Sequence, residues 1–142
     1  DAPPPSPEIE QERRVAIFDL LEANRFVLRE AAPEGALTLR LAAREGRVVF
    51  ALTVDETPAA EFRLPLSPFR QIIKDYRQIC ESYYDAVKRL PPGEIEALDD
   101  ARRGIHAEGA RLLKARLEAN AEVDEETARR LFTLVCVLHD GG

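Results

Sequence analysis

The feature that most constrains this chain is a change of hydrophobic period near Leu66. Upstream, apolar and polar residues alternate. Leu37, Leu39 and Leu41 interleave with Thr38, Arg40 and Ala42, and Phe50, Leu52 and Val54 run out of phase with Val49, Ala51 and Thr53. A period of two places each set on one face of a pleated strand. Pro33-Glu34-Gly35, Glu45-Gly46 and Asp55-Glu56-Thr57-Pro58 punctuate the alternation with turn chemistry. The pattern predicts an antiparallel meander of three or four strands at about 25–30, 37–44, 47–54 and 59–65. The last is expected at an edge, because Pro65 cannot donate to a ladder.

Downstream the period is helical. Ser67-Pro68 reads as a cap followed by a first-turn proline, opening a helix to about Arg89. Pro91-Pro92-Gly93 breaks it, and Pro92 begins a third helix ending near Ala119. Asp124 caps a fourth, with Glu125 and Glu126 where the helix dipole favours negative charge, ending near His139. Ser6-Pro7 repeats the cap-then-proline device at the N-terminus and predicts a first helix to about Asn24, with Ile9, Ala16, Ile17, Leu20 and Leu21 on one stripe. The fold class is therefore α+β: an N-terminal helix, a small antiparallel β-meander and a three-helix antiparallel bundle packed on the sheet. Residues 1–7 read as a flexible proline-rich lead and 8–142 as a single domain.

At 142 residues the chain buries roughly two thirds of its unfolded surface as one domain. Its net charge of −6 has the wrong sign for releasing counterions from a phosphate backbone, so nucleic acid is not an expected partner. Cys80 and Cys136 show no repeated cysteine spacing, which suits a reducing cytosol. No run approaches membrane length and no basic segment precedes an apolar one at the start, so the expected location is cytoplasmic. A chain starting at Asp1 reads as trimmed.

The second and third helices carry an unbroken three-four seam. One side holds Phe69, Ile72, Tyr76, Ile79, Tyr83, Ala86 and Leu90; the other holds Ile95, Leu98, Arg102, Ile105, Gly109, Leu112 and Arg116. Levels counted from the Pro91-Pro92 turn predict that the Tyr76 ring fills the gap at Gly109. They also predict that Arg102 meets the Tyr83 hydroxyl and a carboxylate from Asp85, Glu81 or Asp99, because a guanidinium in a core must be paired. The structural reading of this seam is fold specificity. The functional reading is a shallow pocket where Tyr83, Arg102, Arg103 and His106 bind an anionic group. Cys80, His106, Cys136 and His139 are all the cysteines and histidines of the chain, and as four N and S ligands they would suit zinc.

Other chemistries fail on inventory. There is no glycine-rich phosphate loop, GxSxG elbow, HExxH pair or run of spaced acids. The cysteines lie on apolar helical faces, where thiols are inert. Arg129-Arg130 would suit an anion at the start of the fourth helix, yet Asp124, Glu125 and Glu126 occupy that field. Leu131 to Leu138 has a single hydroxyl, Thr133, so the fourth helix should be central, any uncovered remainder forming a dimer interface.

Several segments together resemble a known family: Ala16 to Glu22, Lys74-Asp75-Tyr76, Ile79 to Tyr84, Arg102-Arg103-Gly104, His106, Glu108-Gly109, Ala128 to Leu134 and Cys136 to His139. From about Glu10 to His139 the chain is similar to the bacterial group catalogued as uncharacterised protein family 0262. The resemblance implies a bacterial cytosolic protein and transfers no activity, substrate, cofactor or catalytic residue. The residues themselves point to a non-enzymatic binding or regulatory protein acting through protein contacts, by a partner or by self-association, without a cofactor. The alternative is a small enzyme or a metal- or anion-binding protein using the Tyr/Arg/His cluster.

Overall fold

The computed structural model describes residues 6–29 and 36–141; residues 1–5 of the expected lead and the expected turn at Pro33-Glu34-Gly35 lie outside them. Helix α1 (Pro7–Glu22) opens as its sequence requires, with the Ser6 hydroxyl accepting from the Ile9 amide at 3.2 Å and proline at the first position. It stops two residues short of Asn24, because Ala23 is already extended.

Strands β2 (Leu37–Arg44), β3 (Arg47–Val54) and β4 (Thr57–Pro65) form the antiparallel meander in that order, with β4 at an edge. Two-residue turns at Glu45-Gly46 and Asp55-Glu56 put all four residues at positive φ, the twist that matches paired strands. Phe50 faces Phe62 across β3 and β4, their rings stacked at 4.9 Å. The segment expected as the first strand of this meander does not join it. Strand β1 (Phe26–Leu28) pairs instead with β5 (Ala121–Val123), matching Phe26 to Val123 and Leu28 to Ala121. Three residues between two helices carry no strand period of their own, so a partner so distant in sequence was invisible. The Arg25 amide donating to the Thr127 hydroxyl at 2.9 Å extends this junction to the last helix.

Ser67–Phe69 makes one tight 3₁₀ turn without a side-chain cap, and only then does α2 (Arg70–Arg89) begin, so Ser67 is not the N-cap its sequence suggested. Helices α3 (Pro92–Leu117) and α4 (Glu125–Gly141) follow, the latter capped where the Thr127 amide donates to the Asp124 carboxylate at 2.8 Å. Helix α2 packs on α3, α3 on α4, and α4 on α1. Val48, Phe50, Leu52 and Leu64 from the sheet share one core with Phe69, Ile73, Leu113, Leu117, Leu131, Phe132 and Val135.

The gap at Gly109 is filled by Phe132, not Tyr76. A Cβ at Gly109 would overlap three atoms of the Phe132 ring, which is wholly buried. Levels along α2 and α3 alone favour Tyr76, whereas the residue nearest the glycine comes from α4. Among the described residues no helix is long and apolar enough to cross a membrane.

Candidate functional site

The four helices leave a cleft of about 720 Å³. Helix α1 contributes Glu12, α2 contributes Tyr76 and Tyr84, α3 contributes Arg102, Arg103 and His106, and α4 contributes Arg129, Arg130 and Thr133. Arg102, Arg103 and His106 on α3, and Arg129, Arg130 and Thr133 on α4, recur at three- or four-residue steps or as a neighbouring pair on one helical face.

On one wall the Tyr76 hydroxyl donates to Glu12 at 2.9 Å, and Arg77 Nη1 meets the other Glu12 oxygen at 3.2 Å. The buried tyrosine is pushed well above the usual phenol range, by desolvation first and then by the Glu12 carboxylate, so it remains a proton donor. Cys80, buried beside it, is pushed up to about 11, chiefly by burial. Such a thiol is protonated and unreactive at neutral pH, in line with its apolar surroundings.

On the α3 wall Arg102 donates from Nη2 and Nε to one Asp99 oxygen at 2.6 and 3.2 Å, while its guanidinium lies 4.9 Å from the centre of the Tyr83 ring. The carboxylate is one of the three expected. The tyrosine contact is through the ring face and not the hydroxyl, because the i to i+3 bond to Asp99 draws the fork along its own helix. Arg103 pairs with Asp99 at 3.3 Å and Asp100 at 2.5 Å. Arg129 lies 3.7 Å from Glu126, and Arg130 lies 2.8 Å from Glu126 and 3.4 Å from Asp19.

His106 sits between these walls, tilted against the rings of Tyr76 and Phe132 at 5.1 and 5.3 Å. Its Nε2 is 2.7 Å from the Thr133 hydroxyl, which itself donates to the Arg129 carbonyl at 3.3 Å. Which of the two donates at this short contact follows from the imidazole tautomer. Burial first, then Arg129 and Arg102, pushes the imidazole down to about 4. The unfolded chain titrates near 6.5 and so binds the extra proton between these values. His106 therefore contributes stability that is complete above about pH 6.5 and is lost as pH falls towards 4, a change of about 3 kcal/mol. Urea unfolding at pH 7 and pH 4.5 is expected to show this loss in the native chain and a flatter response in His106→Gln.

Arg102, Arg103 and His106 thus reach one cleft, whereas Tyr83 lies behind Arg102 and Tyr84 takes its place in the lining. Glu12, Tyr84 and Thr133 carried no legible signal of a site. The Arg129-Arg130 pair did, but its acidic neighbours concealed it. Among the described residues no group of three or more His, Cys, Asp or Glu side chains is arranged to hold a metal ion, so Cys80, His106, Cys136 and His139 are not gathered into a zinc set. His106 Nε2 is instead turned to Thr133.

The family profile described as "Uncharacterised protein family (UPF0262)" matches residues 1–140. A UPF0262 protein of Jannaschia sp. (strain CCS1) is 67% identical over 141 residues, covering 98% of this chain and 90% of the relative. One from Ruegeria pomeroyi is 61% identical over 145 residues, covering 99% and 90%, and one from Cereibacter sphaeroides (strain ATCC 17025 / ATH 2.4.3) is 65% identical over 143 residues, covering 97% and 90%. No solved structure matches. With a profile spanning the described fold and relatives alike along nearly their whole length, the chain belongs to the uncharacterised protein family UPF0262.

Proposed function

We propose that the protein is a cytoplasmic binding protein whose four-helix cleft receives a small anion bearing phosphate or carboxylate groups. The observation that carries this is the convergence of Arg102, Arg103, Arg129 and Arg130 with His106 on one cleft. A guanidinium has five donors, and although Glu8, Glu12, Asp19 and Glu126 share the lining, the intramolecular pairs of these arginines do not use all of those donors. The protonation states support binding over acid-base chemistry. His106 at about 4 and Cys80 at about 11 both lie far from neutrality, where an efficient proton-transfer group should sit.

The protein-contact reading has its own support. Val15, Phe18 and Leu21 are exposed on α1 at three-residue steps, Val15 beside the cleft and Leu21 beside a groove on the helix's other side. A helix apolar on two faces suits a partner or a second copy.

Thermal unfolding with phosphate, pyrophosphate or citrate, at constant ionic strength, tests the cleft. A bound anion is expected to raise Tm by several degrees through mass action, and the exposed pair Arg103→Gln/Arg129→Gln is expected to weaken binding about ten-fold without lowering the unliganded Tm. No shift with any of these anions at millimolar concentration would overturn the reading in favour of protein contacts.

A further inference from the structure

A second groove, of about 430 Å³, opens on the other side of α1, between that helix, α4 and the inward face of β2. Its walls are aliphatic: Leu20, Leu39, Leu41, Leu134, Val137 and Leu138 all line it, and Phe26 is its one aromatic residue. The volume falls in the range of ligand pockets. Asn24, Thr38 and Thr127 are the uncharged polar residues in its lining, and walls without opposed aromatic plates suit an extended alkyl chain better than a flat ring. The one charged residue in the lining is Arg13, at the N-terminal end of the α1 stretch that borders the groove. Arg13 and Arg14 both pair with the same Glu10 oxygen, at 3.2 and 3.1 Å, one carboxylate shared by two guanidiniums. At the other end stands Leu21, 82% exposed, about 12 Å further along the helix at 1.5 Å per residue.

We propose that this groove binds a free single-chain aliphatic carboxylate, its tail laid among the leucines and its head group on Arg13. Arg13, the one charged side chain of the lining, selects the anionic head. A groove walled by two helices and a strand suits one chain and not a bilayer surface. The site is separate from the arginine cleft and shares none of its arginines.

The test is calorimetric titration of the full chain with monomeric dodecanoate, dodecanol and dodecyltrimethylammonium, which share a tail and differ in head group. One dodecanoate per chain is expected, with the cationic analogue about ten-fold weaker or more. Arg13→Gln, at an exposed position, is expected to weaken dodecanoate about ten-fold and leave dodecanol unchanged. Saturating phosphate should not displace dodecanoate, and Arg103→Gln/Arg129→Gln should bind it as the native chain does, which separates this site from the cleft. Four results would overturn the proposal: no saturable dodecanoate binding, equal affinity for all three head groups, binding only to phosphatidylglycerol vesicles, or sedimentation showing a dimer that dodecanoate neither loosens nor enters.

Discussion

Gly109→Ala is expected to destabilise the fold by about 3 kcal/mol, although alanine is the better helix former by about 1 kcal/mol in an open helix interior. The sign reverses because of Phe132. Its ring lies where the new methyl would go, is itself fully buried, and cannot retreat without disturbing Ala110, Leu113 or Val135 in the same core. A close-packed interior accommodates an extra methyl only by shifting backbone or forcing a rotamer. Phe132→Ala alone is expected to cost about 4 kcal/mol by opening a cavity. In combination the two changes should cost less than their sum, since the new methyl partly refills the space the ring vacates. Equilibrium urea unfolding of the four chains of this cycle is the measurement. A Gly109→Ala protein as stable as the native one would mean that α3 and α4 do not meet at this glycine.

The second large effect is expected at Glu12. Glu12→Ala should destabilise the protein by about 3 kcal/mol, the cost of breaking a mostly buried charge-assisted pair. Glu12 and Arg77 side chains are only 16% and 14% exposed, and Tyr76 is buried with its hydroxyl on the same carboxylate. Removing the acid strips the phenol of its acceptor and takes a carboxylate from the guanidinium in a setting where water replaces neither fully. Glu12→Gln, which keeps an acceptor oxygen, should cost distinctly less. Tyr76→Phe should cost little further in the Glu12→Ala background, because the bond it deletes is already gone. If Glu12→Ala lies within about 0.5 kcal/mol of the native chain, α1 is not held to α2 through this carboxylate.

The legible parts of the fold were those whose information is local. The alternation through Leu37, Leu39 and Leu41 places β2, the Glu45-Gly46 turn fixes its register with β3, and Ser6 and Asp124 cap the helices they appear to cap. Ser67 misled because a proline one residue on also begins a 3₁₀ turn, and the two share a sequence signature. Arg102 was correctly read as a cation needing a carboxylate. Asp99 won over Asp85 and Glu81 because a partner three residues away on the same helix costs no inter-helix alignment.

Local order in sequence therefore determined the α+β class, the three-strand meander and the starts of α1, α3 and α4. Those properties depend on period, turn geometry and caps, which act over a few residues. Tertiary structure alone decided that β1 leaves the meander for β5, that Phe132 occupies the notch at Gly109, and that α1 closes a cleft otherwise lined by α2, α3 and α4. Each of these pairs side chains or strands remote in the chain. Their proximity is set by how apolar faces minimise their joint exposure to water, a quantity of the whole molecule that no window of sequence contains.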